Sequence, residues 1–471
     1  MKVKHFLLII LIVGIAVYFL SLFGDFVWDD EEQVVNNTIV HSISNIPELF
    51  TGSTFSTGGA GGLSGIYYKP MMSICFSVLY TFFGPQAFFF HLFQVIIHII
   101  NSILVFNLFK YFLDKSKHVK KKTDDWLAFG FALIFLIHPI NVEAVVYISA
   151  LQDVLFFFFG VLGLLTEVKE NFFNTLLNKI RVKPNLLATF LLFLSLLSKE
   201  TGVVLVGLFI LYVFLFKKER IKDYIVYIGV MIASYCMLRF LIARVGISKE
   251  GVSPIMRVPL LERLIGIPSI IIFYLKTFLY PKDLIISQHW VVDEITFSKF
   301  YFPLILTIIF GGCLIFLLFF LYRKKSNLFY CFLFFLLWFI AGLGLHLQIV
   351  PLDMTVADRW FYLPMVGLLG MISILIQVIL QGIKPSRKIT DLLKFFGIVI
   401  VVVFSLRTIS RILDWSNGLT LFSHDEQFNS GAFDLENNLG VELFRHGRID
   451  EAKVNFEKRY SPLPLSNLER Y

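Results

Sequence analysis

Asp25, Asp29, Asp30, Glu31 and Glu32 lie directly after the first membrane-length apolar stretch of the chain. Four consecutive carboxylates at a bilayer edge are costly to desolvate, so such a run usually marks a site rather than packing. Partial desolvation lifts a carboxylate's pKa toward the working range. A group so tuned could take the proton of an acceptor hydroxyl, the one base that a sugar transfer with inversion at the anomeric carbon needs. A solvated acidic loop or a cation site has the same composition, and the cluster alone leaves these open.

Four further groups carry polar chemistry. His138-Pro139-Ile140-Asn141-Val142-Glu143 is followed by Asp153. Pro139 ends a helix there, His138 and Glu143 could form an interfacial hydrogen-bond pair, and Asp153 could cap the next helix. Ser198-Lys199-Glu200 forms a tight turn between two apolar segments. A lysine so close to the apolar region calls for an anionic partner, either Glu200, a lipid headgroup or a bound phosphate. Asp358-Arg359 opens another segment, followed by Trp360-Phe361-Tyr362. Arginine can grip phosphate in a bidentate manner, and the aromatics suit a membrane interface or a sugar face. A structural Asp–Arg pair is the alternative. Last, His91, Gln94, His98 and Asn101 recur at steps of three, four and three, which places them on one helical face. Hydrogen bonding between helices is the favoured reading of that stripe.

The elements that must hold these residues are membrane helices. Of 471 residues, 57% are hydrophobic and only 16% charged, and the mean hydropathy is +0.76. A soluble domain carries about a quarter charged residues. Apolar segments cover roughly 6–23, 87–113, 127–138, 153–166, 184–198, 201–216, 224–243, 301–322, 327–345, 360–380 and 391–413, predicting an all-α polytopic bundle of about 11 crossings. The net charge of +8 reflects sidedness rather than nucleic-acid binding, because the basic residues gather in loops near 115–122, 169–183, 217–222, 323–325 and 384–388. The positive-inside rule puts these in the cytoplasm. Loop 24–86, with six acids and Lys69 as its one base, then goes outside. Residues 262–279 must be a re-entrant or surface helix for Arg323 to stay inside, and Pro268 suits that. The N-terminus is expected in the cytoplasm as an uncleaved signal-anchor and the C-terminus outside. The loops 24–70, 138–152, 198–201 and 346–359 then share the outer face. The four cysteines read as buried small hydrophobes.

A membrane domain over 1–413, with 24–86 as its first outer loop, gives way to a polar tail over 414–471. Leu439, Gly440, Leu443, Ala452, Phe456 and Pro464 match the spacing of one tetratricopeptide repeat. One repeat cannot bury its own face. It must pack on the membrane domain or belong to a longer array.

Taken in order, these motifs resemble the C-class (GT-C) membrane glycosyltransferases that use polyprenyl-phosphate sugars. They are most similar to the transmembrane-and-tetratricopeptide-repeat protein O-mannosyltransferases and their bacterial relatives. The matching stretches are Phe26-Val-Trp-Asp-Asp30 with Asn36-Asn37, Tyr68-Lys-Pro70, Phe90-His91 with His98 and Asn101, His138 to Ala144, Leu197 to Glu200, and Ala357 to Pro364. The resemblance implies a GT-C-like fold and inverting transfer of a sugar, a mannose-like hexose, from a polyprenyl-phosphate donor to a hydroxyl of protein Ser/Thr or of a glycan. Asp29 or Asp30 would be the base. Lys199 and Arg359 would contact the donor phosphate, with Tyr68, Lys69, His91, His138, Glu143, Asp153, Glu200 and Asp358 completing the substrate site. The family pattern has Gly-Arg ahead of the aspartate that is Asp153 here, where Ala150-Leu151-Gln152 stands instead. The sequence demands no particular cofactor; the acids could hold a divalent cation, but no ligand spacing demands one. The expected partners are the lipid-linked donor, membrane lipid, and an acceptor reached through the outer loops and tail, with no nucleic acid. A bacterial cytoplasmic membrane is preferred over the endoplasmic reticulum as the location. A transporter or flippase for a lipid-linked or anionic substrate is the alternative function.

Overall fold

The computed structural model describes residues 3–55, 67–116, 123–169, 184–246, 253–323, 327–383, 386–429 and 432–460. Among them there is no strand, only an isolated antiparallel bridge between Gln288 and Val356. The membrane domain is built from α1 (Val3–Tyr18), α2 (Pro70–Phe83), α3 (Ala87–Lys115), α4 (Thr123–Ile137), α5 (Val142–Val146), α6 (Leu151–Val168), α7 (Pro184–Ser198), α8 (Gly202–Phe216) and α9 (Ile221–Cys236). It continues through α10 (Leu260–Leu279), α11 (Phe302–Arg323), α12 (Asn327–Gly344), α13 (Tyr362–Ile383) and α14 (Arg387–Asp414). Helix is the form that satisfies every backbone group of such apolar runs internally. Eight helical stretches of the described residues are long and apolar enough to cross a membrane, up to nine if the pair 125–137 and 139–146, bent by 50°, is one span. The chain is thus a multi-pass membrane protein. α2, α7 and α8 are shorter apolar helices. α10, with Pro268 inside it, is not among the eight. Its Arg263 guanidinium donates to the carbonyls of Val258, Gln348 and Ile349.

In lipid, helices associate through packing and polar bonds rather than through a hydrophobic drive. The abundant phenylalanine supplies the packing. Phe112 of α3 stacks on Phe334 of α12 with ring centroids 4.8 Å apart, and meets Phe335 edge-on at 4.8 Å. The stripe on α3 supplies the polar bonds. Gln94 donates to the Ala144 and Tyr147 carbonyls at 2.8 Å each. His98 bonds the Leu136 carbonyl and the Tyr362 hydroxyl, and Asn101 bonds the Val154 carbonyl and the same hydroxyl. These bonds lock α3 to α4, α6, α13 and the loop ahead of α6, the positioning that the spacing predicted.

The tail comprises α15 (Gly418–Glu426), α16 (Phe433–Arg445) and α17 (Ile449–Tyr460). Leu439, Leu443 and Ala452 are buried between α16 and α17. Gly440 lets the two approach, since a Cβ there would sit 2.6 Å from the Phe456 ring. Pro464 lies outside the described residues. Of the two expected options, the helical pair packs on the membrane domain. Asp434 accepts from Ser287 at 2.5 Å and bonds His289 at 2.8 Å, Asn429 donates to the Ser287 carbonyl, and Arg445 pairs with Glu31. Inside the junction, Arg411 grips Asp425 with two bonds of 2.8 and 3.0 Å, and Asp425 also accepts the Ile286 amide.

Candidate active site

The two adjacent aspartates of the first loop have different surroundings. Asp30 is buried and spent on backbone. Its Oδ1 accepts the Ser149 amide at 2.6 Å and its Oδ2 the Val27 amide at 3.0 Å. Burial pushes its pKa up to about 7, against these bonds, which favour the charged form. Asp30 thereby pins the turn 27–30 to the loop that precedes α6. Trp28 sits in that turn with φ +61, a left-handed conformation unusual for a bulky residue. Such strain persists where the surroundings over-determine it, and here Trp28 is stacked on Tyr147 at 5.4 Å. The consequence is that Asp29 turns the other way. It is only half-buried. Its pKa is raised by burial, and lowered in part by the nearby Tyr147 hydroxyl and by the Arg359 charge.

Arg359 reaches this position at the mouth of α13. Its side chain pairs with Glu143, and its backbone amide donates to the other Glu143 oxygen at 2.9 Å. Both residues are buried. Glu143 is presented by α5, the short helix after the Pro139 break. Nearby, Lys199 Nζ donates to Asp153 Oδ1 at 2.5 Å. Gly202 makes the Lys199 turn tight enough for this: a Cβ there would lie 2.7 Å from the Ser195 carbonyl oxygen. Asp153 does not cap α6, since Ala150 is the N-cap and Asp153 lies in the first turn, where a negative charge is favoured by the helix dipole. Glu200 accepts the Tyr68 amide at 2.8 Å and the Arg239 guanidinium at 2.7 Å.

Lys69 completes the cationic side. It is buried, and its ammonium lies 4.2 Å from the Tyr67 ring centroid. Among the described residues no carboxylate is hydrogen-bonded to it. Burial lowers its pKa to about 8, while Glu200 pulls the other way and Lys199 adds to the lowering. Asp353 lies near Tyr67, and burial followed by the Asp353 charge holds the Tyr67 phenol well above the ordinary range. His346 stacks on Trp360 at 5.1 Å and bonds the Gly342 carbonyl through Nδ1. Burial, with Lys199 beside it, lowers its pKa to about 3, so the imidazole is neutral.

The structure therefore gathers Asp29, Lys69, Glu143, Asp153, Lys199, Glu200 and Arg359 at one end of the bundle. It gives other surroundings to four residues expected there. His138 engages both ring nitrogens with backbone, accepting the Ile140 amide and donating to the Phe278 carbonyl at 2.9 Å; it fastens α10. His91 is buried under the first loop, facing Gly24. The Tyr68 side chain packs with Leu197, Ala243 and Val245, and its hydroxyl donates to the Phe50 carbonyl. Asp358 has Glu143, Arg411, Asp425 and Arg407 as its charged neighbours, which places it at the junction with the tail. Tyr67, Tyr147, His346 and Asp353 also join the cluster, although no sequence motif marks them. The outer loop 346–359 was the available signal for the last two. No three His, Cys, Asp or Glu side chains converge as metal ligands among the described residues.

No family model and no solved structure matches the chain. Among curated proteins it is similar to a protein O-mannosyl-transferase of Caenorhabditis elegans, 26% identical over 227 residues, which is 48% of this chain and 30% of the relative. It is 28% identical to human protein O-mannosyl-transferase TMTC3 over 206 residues, 43% of this chain and 21% of the relative. With human protein O-mannosyl-transferase TMTC1 it shares 31% over 203 residues, 41% of this chain and 21% of the relative. The matched stretches thus span less than a third of the relatives' own length, and over that stretch the chain is similar to the TMTC protein O-mannosyl-transferases.

Proposed function

We propose that this chain is a membrane glycosyltransferase that moves a mannose-like hexose from a polyprenyl-phosphate donor to a protein hydroxyl, with inversion. What chiefly supports this is the contrast within the aspartate pair: Asp29 is half-buried beside Arg359 and Tyr147, while Asp30 is consumed by two backbone amides. Asp29 is then the base. The acceptor oxygen attacks the anomeric carbon from the face opposite the donor phosphate, and its proton passes to the Asp29 carboxylate. The bond between that carbon and the phosphate oxygen breaks, and the polyprenyl phosphate leaves as an anion. It needs positive charge rather than an acid. Lys69, to which no carboxylate among the described residues is bonded, is the cation best able to supply it, with Lys199 and Arg359 beside it. The similarity to protein O-mannosyl-transferases favours a hexose donor and a protein acceptor.

In this proposal the cluster faces the extracytoplasmic side, the N-terminus is cytoplasmic, and the tail stands outside as a platform for acceptor segments. The division at residue 413 belongs to the same proposal, supported by the side-chain contacts that dock α16 on residues 287–289 and on Glu31. The matched relatives are animal proteins, so they give no support to a bacterial membrane as the location. The test is a transfer assay on the purified chain with a polyprenyl-phosphate mannose donor and a Ser/Thr peptide. Transfer by the wild type, lost in Asp29→Asn, is the expected result. Full activity in Asp29→Asn with normal folding ends the assignment, and donor flipping without any transfer would favour a transporter.

A further inference from the structure

The loop that carries Asp29 is held at both ends by the tail. At its start the Asp25 amide donates to the Ser416 carbonyl at 3.0 Å. Next to Ser416, the buried Trp415 ring lies 5.5 Å from Tyr147. Tyr147 also stacks on Trp28, the residue before Asp29. At the far end of the loop Glu31 receives Arg445 of α16. The two terminal nitrogens of that guanidinium donate to the two carboxylate oxygens, Nη1 to Oε1 at 2.7 Å. Glu31 opens the turn Glu31–Val35, and its carbonyl accepts the Asn36 amide at 2.7 Å. Glu442 holds Arg445 from within the tail, accepting from the same Nη1 at 2.8 Å. A Cβ on Gly418 would lie 2.6 Å from the Glu442 carboxyl carbon, so α15 and α16 together set where the guanidinium stands.

Both side chains of the Arg445–Glu31 pair are partly exposed, and an exposed ion pair adds little to folding. A forked arginine–carboxylate contact does add precision of placement, and placement is what a general base needs. The carboxylate must sit within hydrogen-bond reach of the hydroxyl whose proton it takes. Asp30 anchors the middle of the loop to the Ser149 amide; Ser416 and Arg445 fix its two ends. We propose that Arg445 is a positioning residue for sugar transfer: through Glu31 the tail holds residues 25–31 in the arrangement that presents Asp29 to the acceptor hydroxyl. The inference rests on Asp29 as the base. It makes the tail a working part of the active site as well as a platform for acceptor segments.

The full chain, purified in detergent and assayed with polyprenyl-phosphate mannose and a Ser/Thr peptide, tests this. Arg445→Gln should lower kcat about tenfold, part of the roughly 10²-fold that a 1 Å misplacement can cost. The donor KM and the melting temperature should not move. Glu31→Gln should do the same, and the double variant should lose no more than either single one, because the two residues act as a unit. Arg445→Lys, which keeps the charge but not the fork, should fall between wild type and Arg445→Gln. Arg448→Gln, which breaks a pair with Glu451 elsewhere on the tail, should keep the wild-type kcat. Hydrogen–deuterium exchange reads the placement without any transfer. The amides of residues 26–31 should exchange several-fold faster in Arg445→Gln and at the wild-type rate in Arg448→Gln. Wild-type kcat in Arg445→Gln, with Asp29→Asn inactive, overturns the proposal and leaves Asp29 as the base. Full activity in Asp29→Asn removes the base and the proposal together. Unchanged exchange in Arg445→Gln, or a double variant whose loss is the product of the two single losses, also overturns it.

Discussion

The polar stripe along α3 and the charged cluster around Asp29 are both made of side chains that lipid would exclude, yet they end in different states. In the stripe, His98 and Asn101 converge on one Tyr362 hydroxyl and otherwise bond backbone carbonyls. Among the described residues, both His91 nitrogens, Gln94 Oε1 and Asn101 Oδ1 stay unpartnered there, but these atoms are buried, and the stripe holds no carboxylate, lysine or arginine. In the cluster, Asp29 is half-buried, and Lys69 rests against an aromatic ring with no bonded carboxylate among the described residues. Burial of polar groups is common to both regions. What separates a site from a fastening is whether charged groups are left for a ligand.

That contrast can be broken at several points. The largest effect belongs to Asp29→Asn, which should lower transfer about 10²–10⁴-fold, the range expected for loss of a general base, with an unchanged melting temperature. Asp30→Asn should do the reverse, costing about 1–3 kcal/mol through a buried amide left unmatched while the folded fraction keeps its specific activity. If the two variants exchanged these phenotypes, the distinction between the aspartates would be lost. Arg359→Gln strands the buried Glu143 carboxylate, and a broken buried pair of this kind costs about 3–5 kcal/mol, read as a shift in the denaturation midpoint. Within the stripe, Tyr362→Phe should cost about 1–2 kcal/mol, since hydrogen bonds between membrane helices are individually modest. Donor KM should stay unchanged in it; a raised KM would make the stripe part of the site. The smallest effect concerns pH. The Lys69 pKa is lowered to about 8, so its ammonium is lost as pH rises through that value. Donor KM should climb several-fold across that window in the wild type and stay flat in Lys69→Gln.

Much of this arrangement was legible in the residues themselves. The steps between His91, Gln94, His98 and Asn101 placed the last three on the inward face that they occupy, and sorting of Lys and Arg among the loops brought the outer motifs to one end. Spacing could say which end a motif occupies, but not which atoms it meets there. The motif points to Tyr68, yet it is Tyr67 whose ring meets Lys69, because consecutive side chains in irregular backbone diverge. His138 carries the chemistry of a substrate ligand, yet its two nitrogens satisfy the Ile140 amide of its own Pro139 turn and the Phe278 carbonyl at the end of α10. Asp353 and His346 lie in a loop without periodicity, where position follows only from tertiary bonds such as those from Arg263 and the Gln348 side chain. Asp29 and Asp30 are adjacent, and no pattern in the sequence reveals the reversed backbone at Trp28 that separates their roles.

The most direct test of the central claim is lipid mass spectrometry on the chain purified from membranes. A cluster built to hold a sugar-bearing lipid phosphate predicts a co-purified polyprenyl-phosphate hexose in the wild type, lost when Lys69 and Lys199 are both replaced by Gln in a protein that still folds. Absence of such a lipid from active wild-type protein, or its full retention in the double variant, would contradict the account.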